Sequence, residues 1–359
     1  MRRWNSRTFS TAARIAAVLA GALAAGLAGC AAQGLYQPVL AIDLPEAYNT
    51  PDGMVLDTKT GDIILSCPNF NNPAQPAKML RIDSSDKISE IVTLPLHPAT
   101  KKVGPLGVDV GPDGHLYVAD NQTFFGRDDH QSRLLRVVMK DGKAEKCEVL
   151  VTGFIMANAV SCHGDSVYVT ESKLDTKASP MPSGVYRFRL AELDPAKPLA
   201  LVPGDKDPHL IVTLKTKNPD WVGANGMGFD SKGNLFVCNF GDAEVIKVTF
   251  DLSGRTDRRE VFAKGSGMKS TDGLKIDPKT DDIYVADFLG NAVHKIDAIT
   301  RKVTTLAANG NTDGRGGLLD RPSEVCLRGR RIYVSNIDLP LAGNTYDKPH
   351  TISVIAPTK

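Results

Sequence analysis

Six short segments of the chain repeat one pattern, and most of them place an oxygen-bearing side chain at the same position. The segments are Pro51–Asp57, Pro105–Val110, Ala157–Val160, Ala224–Asp230, Thr271–Asp277 and Ser323–Leu327. The residues taken as equivalent are Asp52, Leu106, Asn158, Asn225, Asp272 and Glu324. Calcium takes carboxylate and amide oxygens, roughly six to eight of them at about 2.3–2.6 Å. Zinc would require His or Cys instead. The five polar residues therefore predict a site for Ca²⁺, or for another divalent metal, provided that the fold brings them together.

The elements around these residues predict how they would meet. Each segment is followed by a polar turn and a second apolar run rich in Val, Ile and Tyr, such as Ser166–Glu171 and Ile283–Asp287, which is typical of β-strands. The units recur about every 50 residues, an interval that suits four-stranded propeller blades. The sequence therefore predicts an all-β fold, a six-bladed β-propeller. Because the first strand of every blade lines the channel, the repeated polar residues would converge on one axis.

The last unit has one strand fewer than the others. It supplies Ser323–Leu327, Ile332–Ser335 and Thr351–Ile355. The run Val39–Ile42 could add the fourth strand, so we expect an N-terminal strand to close the ring. This predicts a single propeller domain over residues 38–356.

The first 29 residues have the order of a bacterial export signal. A basic head containing Arg2 and Arg14 precedes an apolar run that ends at Gly29, which is too short and too rich in Gly and Ala for a membrane span. The ending Leu27–Cys30 resembles the lipobox of bacterial lipoproteins, in which the cysteine is lipidated. We therefore expect residues 1–29 to be a signal peptide, Cys30 to carry lipid, and residues 31–37 to be a tether. The alternative is an ordinary secretory signal in which Cys30 is incidental.

These features predict a protein of the bacterial cell envelope, on the periplasmic face of the outer membrane, whose contact with the membrane is the lipid anchor alone. The chain carries 43 Lys and Arg against 41 Asp and Glu, and loss of the signal would remove arginines and no acids. Such a balanced chain has no basic surface for phosphates, so we expect no nucleic-acid partner. We expect a monomer.

The polar residues of the repeat also have a structural explanation. Asp-Gly and Asn-Gly are turn dipeptides and could merely shape the entry into each strand. Asn158 before Ala159 and Glu324 before Val325 do not fit a pure turn role. Both interpretations stay open at this stage.

The repeat resembles the superfamily of six-bladed propellers that includes senescence marker protein and gluconolactonases, paraoxonase-type lactonases and strictosidine synthase-like proteins. The resemblance covers nearly all of residues 38–356. In the paraoxonase-type branch a catalytic calcium is held by an acid, two asparagines and an aspartate, and Asp52, Asn158, Asn225 and Asp272 match those positions. The resemblance implies calcium-assisted hydrolysis of a small-molecule lactone or ester.

One departure from that family affects the mechanism. Paraoxonase-type enzymes carry a histidine dyad in blade two, where this chain has Leu106 and Asn121. A carboxylate must then activate water, and the candidates are Asp272 and, at the ends of second strands, Glu171 and Asp287. Loops at 121–131 and 172–183 and Trp221 could cap the site with apolar side chains.

Three functions follow from these observations. The first is a calcium-dependent lactonase or esterase-like hydrolase, in which the metal polarises the carbonyl and a carboxylate activates water. The second is a non-catalytic propeller lipoprotein that binds a protein or saccharide and holds a structural ion. The third is a condensing or lyase activity like that of the strictosidine synthase branch.

Overall fold

The structure is a computed structural model that describes residues 34–72 and 74–356. These residues form 25 β-strands in six sheets, together with five short 3₁₀ helices. The helices are Glu46–Tyr48, Thr123–Phe125, Leu190–Glu192, Phe240–Asp242 and Arg315–Gly317. None of the helices in the described part of the chain is long and apolar enough to cross a bilayer.

The six sheets are the blades of a propeller, as the repeat predicted. Blade one contains β2 Met54–Leu56, β3 Ile63–Cys67, β4 Lys78–Ile82 and β5 Ile88–Thr93. Blade two contains β6 Pro105–Val110, β7 Leu116–Asp120, β8 Ser132–Lys140, β9 Lys143–Phe154 and β13 Leu199–Ala200. Blade three contains β10 Ala157–His163, β11 Ser166–Glu171, β12 Met181–Arg189 and β14 Leu210–Thr216.

The second half of the chain repeats the arrangement. Blade four contains β15 Ala224–Phe229, β16 Leu235–Asn239, β17 Glu244–Phe250 and β18 Thr256–Lys264. Blade five contains β19 Leu274–Ile276, β20 Ile283–Asp287, β21 Ala292–Ile296 and β22 Val303–Ala308. Blade six contains β23 Pro322–Arg328, β24 Arg331–Asn336, β25 His350–Ile355 and β1 Val39–Leu44.

Blade six combines strands from both ends of the described chain. Strand β1 pairs antiparallel with β25, with Asp43 opposite Thr351. Contact with the propeller begins slightly earlier, because Tyr36 donates its backbone N–H to Leu306 O at 2.7 Å. The signal peptide predicted at 1–29, the lipidation site Cys30 and the first residues of the predicted tether lie outside the described residues.

The blades are held together by apolar side chains on both faces of each sheet. Every residue of the second strands β3, β7, β11 and β16 is buried. Six apolar clusters each join two neighbouring blades, and in one of them Met54 of blade one packs with Tyr333 of blade six. This two-sided burial explains the continuous Val, Ile and Leu runs of the second strands.

Candidate functional site

The starts of the innermost strands surround a cavity of about 240 Å³. Four of the five predicted ligands line it, namely Asp52, Asn158, Asn225 and Asp272. Leu106 lines the same cavity in blade two. Residues at the opposite ends of these strands, among them Val55 and Ile276, line a separate space. The propeller therefore gathers the four polar side chains at one mouth of its channel, although 220 positions separate the first from the last.

The glycines after these residues let neighbouring inner strands approach one another. A Cβ atom on Gly53 would lie 2.4 Å from Leu106 O, and one on Gly226 would lie 2.3 Å from Asp272 O. Neither glycine has the positive φ of a turn glycine. The Gly226 N–H instead donates to Asp272 O at 3.1 Å and links blades four and five. The Asp-Gly and Asn-Gly pairs therefore belong to the packing of the inner strands, and hairpin turns do not explain them.

Asp52, Asn158, Asn225 and Asp272 are called the ring below. Hydrogen bonds orient its side chains. Asn158 donates from Nδ2 to Ser172 Oγ at 3.2 Å, and Ser172 Oγ donates to Ala224 O at 2.5 Å. The Asn225 amide is hydrogen-bonded to the Asp272 carboxylate. Because the amide nitrogens are used by protein acceptors, the amide oxygens are the atoms that Asn158 and Asn225 would offer to a cation.

The two ring carboxylates are in an unfavourable environment for negative charge. Burial raises the pKa of Asp52 to about 7, against a hydrogen bond from Ser323 that lowers it. Burial also raises the pKa of Asp272 well above its usual range, and repulsion from Asp52 and Glu324 adds to the effect. Both side chains keep some exposure through the cavity. A cation bound between these carboxylates would relieve their repulsion.

Blade six differs from the prediction, because Ser323 lines the cavity and Glu324 does not. The Glu324 side chain lies against Gly273, where its Oε1 would be 2.4 Å from an added Cβ. Glu324 Oε2 forms an ion pair with Lys275 Nζ at 2.8 Å, and Oε1 accepts the Val325 N–H at 3.0 Å. Ser323, one residue before Glu324, therefore occupies the ring position in blade six. Lys275 offsets part of the Glu324 charge, although burial still raises the pKa of Glu324.

The predicted bases Glu171 and Asp287 do not line the cavity either. Glu171 accepts the backbone N–H groups of Ile155 and Met156 at 2.7 and 2.6 Å. It is buried, which raises its pKa to about 8. These contacts fix the segment that leads into the first strand of blade three, so the position of Glu171 is explained by folding and not by proximity to the ring.

Asp287 has the same role in blade five. It accepts the backbone N–H groups of Lys269 and Ser270, both at 2.8 Å, and that of Gly290 at 2.9 Å. His294 Nε2 lies 3.2 Å from Asp287 Oδ2, the oxygen that also accepts the Lys269 N–H. Neither predicted base therefore lies at the cavity, because each of these acids, at the end of a second strand, holds an adjoining loop. Of the three candidates, only Asp272 lies in the cavity.

Asp287→Ala should lower the free energy of unfolding by about 3 kcal/mol or more, because it leaves several buried N–H groups without an acceptor. If the chain is the hydrolase that the sequence predicts, kcat/KM of the folded variant should stay within about twofold of wild type, because Asp287 does not line the cavity. Urea unfolding followed by circular dichroism, together with lactone hydrolysis assays on the folded fraction, would check both expectations. A large loss of kcat/KM at unchanged stability would instead indicate that Asp287 takes part in catalysis.

Apolar side chains from several blades cover the ring. Trp221, Phe240 and Phe288 pack in a row, with ring centroids 5.7 and 6.1 Å apart. Ile337 and Leu339 of blade six pack with Phe240 and Phe288 in one cluster. All five residues line the cavity. The cavity thus has an oxygen-rich floor and an apolar wall, the usual anatomy of a small-molecule site.

Several lining residues were missed or only partly foreseen from the sequence. The predicted capping loops contribute Phe124 and Lys173, and Trp221 lies where expected. Ser323 and Asp220 were not predicted. Ser323 could have been found by aligning Val325 with the apolar residue that follows each glycine of the other units. Asp220 carries no such signal, because it lies in the loop before blade four rather than in the repeat.

The donor set fits a hard divalent cation. Asp52 and Asp272 offer carboxylate oxygens, Asn158 and Asn225 offer amide oxygens, and Ser323 adds a hydroxyl. Calcium is bound by such oxygen ligands and completes its shell with water or substrate. No His or Cys is among the described residues that line this cavity, so the donor set does not suit a zinc site.

Calcium affinity at this ring should fall as the pH decreases, because the ion must displace protons from the carboxylates. With the pKa of Asp52 at about 7, its protonation alone should weaken binding by about tenfold between pH 8 and pH 6, and Asp272 should add to the loss. Calorimetric titrations at the two pH values would measure this. Asp52→Asn should reduce the pH dependence, and equal affinities of the wild type at both pH values would contradict the assignment of Asp52.

Sequence comparison finds no family model and no curated protein that matches this chain. Solved structures do match in fold. A calcium-binding regucalcin from Agrobacterium tumefaciens superposes with a TM-score of 0.55 at 13% identity, covering 89% of this chain and 93% of that chain. A gluconolactonase from Xanthomonas campestris gives 0.52 at 13% identity, with 89% and 95% covered. A PQQ-bound aldose sugar dehydrogenase from Streptomyces coelicolor gives 0.56 at 15% identity, with 90% and 98% covered. The chain therefore has the six-bladed propeller fold that gluconolactonase-type and regucalcin-type structures share.

Proposed function

We propose that this protein is a calcium-dependent hydrolase of lactones or related esters. The observation that carries the proposal is the meeting of Asp52, Asn158, Asn225 and Asp272 in one cavity beneath an apolar wall. Fold similarity to a gluconolactonase and to a calcium-binding regucalcin supports it. Fold similarity is not sufficient by itself to assign an activity, because the same fold is found in an aldose sugar dehydrogenase.

In this proposal the four ring residues would hold the ion. When bound, the ion supplies Lewis-acid polarisation of the substrate carbonyl oxygen. Asp272, ionised when the ion is held, would accept a proton from the attacking water. The water oxygen bonds to the carbonyl carbon, the acyl C–O bond of the lactone breaks, and the proton passes from Asp272 to the leaving alkoxide oxygen. Trp221 and Phe288 seat the carbon skeleton of the substrate and limit the access of other water.

The decisive experiment is hydrolysis of a panel of aldonolactones, aliphatic lactones and aryl esters by the purified protein. Activity should disappear with a chelator and return when calcium is added in excess. Calcium binding without turnover of any substrate would favour the alternative, a non-catalytic propeller with a structural ion. Turnover that is insensitive to chelator would contradict the proposed role of the metal.

We also propose that the protein is anchored through Cys30 at the periplasmic face of the outer membrane, with no other contact to the membrane. The lipobox-like ending of residues 27–30 supports this. In a bacterial host, labelled palmitate should be incorporated into the wild-type chain and not into Cys30→Ser, which should remain with the inner membrane or be released. Equal labelling of both chains would contradict lipidation at Cys30.

A further inference from the structure

A second group of carboxylates lies in blade six, outside the lining of the cavity described above. Asp320 precedes β23, whereas Asp338 and Asp347 lie in the long connection between β24 and β25. One carboxylate oxygen from each of the three residues lies within 4.8 Å of the others. Asp320 and Asp338 are each only 1% exposed, and Asp347 is partly buried. The fold thus brings three acids to one buried point.

Some carboxylate oxygens of this group, on Asp320 and Asp347, lack hydrogen-bond donors. Both carboxylate oxygens of Asp320 and Oδ1 of Asp347 are buried without an N–H or hydroxyl donor. The neighbour within reach of the Asp320 carboxyl is the Asp338 carboxyl, with which it could share a proton. The charge of the adjacent Arg321 lowers the pKa of Asp320 in part, but no ion pair forms, because its Nη1 and Nη2 donate to Phe288 O at 3.2 Å and Ala342 O at 2.9 Å. A buried carboxylate that lacks both a donor and a paired cation is strongly disfavoured. Asp320 therefore requires a proton or a cation.

Asp338, by contrast, is held firmly in place. Its Oδ1 accepts Asn344 Nδ2 at 2.8 Å, and its Oδ2 accepts the Asp347 N–H at 3.0 Å. Oδ1 of Asn344 is a further buried oxygen without a partner in this connection. Burial, with the charges of Asp338 and Asp347, raises the pKa of Asp320 well above its usual range. Burial also raises the pKa of Asp338, although hydrogen bonds from Asp347 and Asn344 act against it.

We propose that Asp320, Asp338 and Asp347 bind a second divalent cation of the oxygen-seeking class, with calcium as the best fit. Oxygens within 4.8 Å of one another can all contact one ion at the calcium–oxygen distance of about 2.3–2.6 Å. Backbone carbonyls and water would complete a shell of that kind. The empty hydrogen-bonding capacity of Asp320 distinguishes this group from an ordinary acidic surface.

The position of this site gives the second ion a consequence for the cavity. Ile337, Leu339 and Leu341 flank Asp338 and line the wall over the ring. An ion bound by Asp320 and Asp338 would tie that wall to the start of β23, which carries Ser323. The second ion would therefore stabilise the wall without contacting the substrate.

Counting bound calcium tests the proposal without any hydrolytic activity, and the loss of one ion in Asp320→Asn is expected whether or not the ring binds its own ion. The purified chain is stripped with chelator, dialysed against calcium chloride, and its bound metal is measured by elemental analysis. We expect two ions per chain in the wild type and in Glu145→Gln, which removes an exposed acid in blade two. We expect one ion in Asp320→Asn, one in Asp272→Asn and none in the double variant.

A stability measurement distinguishes the cation from a shared proton. If Asp320 merely carries a proton, Asp320→Asn should bind as much calcium as wild type and keep its melting temperature, a result that would overturn the proposal. If a cation binds, calcium should raise the melting temperature of Asp272→Asn but not that of the double variant. Should Asp320→Asn fail to fold, Asp347→Asn provides the same count from a less buried position, and an unchanged count there would equally overturn the proposal.

Discussion

Asp272→Asn is expected to lower kcat/KM for lactone hydrolysis by at least about 10³-fold, because one change removes a metal ligand and the proposed base. Asparagine keeps the size of the side chain but loses the charge. It should also preserve the Gly226 N–H bond to the backbone oxygen of residue 272. The fold should therefore survive, and the loss should appear in both activity and calcium affinity. Steady-state kinetics and calorimetry on the same preparation would measure it.

The stability of the same variant provides a control for folding. Burial and repulsion from Asp52 disfavour ionised Asp272 in the absence of metal, so Asp272→Asn should be at least as stable as wild type without calcium. Calcium at about 100 times its Kd should stabilise the wild type by about 2.7 kcal/mol at this site, and the variant should lose that increment. Asp257→Asn, an exposed acid of blade four, should behave as wild type. An Asp272→Asn protein with more than about a tenth of wild-type activity would contradict the role of this carboxylate.

Lys275→Met is expected to lower the free energy of unfolding by about 3–5 kcal/mol, because it leaves Glu324 buried without its partner. The two side chains form an ion pair at 2.8 Å, and the side chain of Glu324 is only 9% exposed. Although burial lowers the pKa of Lys275, the attraction of Glu324 outweighs it and raises the pKa overall. Urea denaturation would measure the loss of stability.

The double variant Lys275→Met/Glu324→Gln isolates this ion pair. It should recover most of the lost stability, because the glutamine at position 324 is uncharged and does not need a cationic partner. A Lys275→Met protein that loses less than about 1 kcal/mol would show that the pair is weak. In that case the ion pair with Lys275 would not explain why Glu324 lies outside the cavity.

The repeat was sufficient to predict the propeller because its period and its strand chemistry agree. Burial on both faces makes the second strand of each blade a largely apolar run. The inner strands are marked by glycines such as Gly53 and Gly226, which the close approach of a neighbouring backbone requires. The meeting of Asp52, Asn158, Asn225 and Asp272 at one cavity followed from the symmetry of the repeat. In blade six no glycine follows Ser323, so the mark was absent and Glu324 was taken in its place.

The other differences between prediction and structure have a common physical origin. Glu171 and Asp287 are the last residues of their strands, and position along a strand does not show which way a carboxylate points. Both accept backbone N–H groups of the segment that leads into their blade. The Asp320, Asp338 and Asp347 group depends on the course of a long irregular connection, which no periodic pattern describes.

A crystal of the protein grown with calcium, measured at a long wavelength, would test the central claim most directly. The account predicts an anomalous peak at the channel mouth, about 2.3–2.6 Å from oxygens of Asp52 and Asp272, with the amide oxygens of Asn158 and Asn225 directed at it. An ordered ring without such a peak, with Asn225 and Asp272 bonded only to each other and to water, would contradict the account.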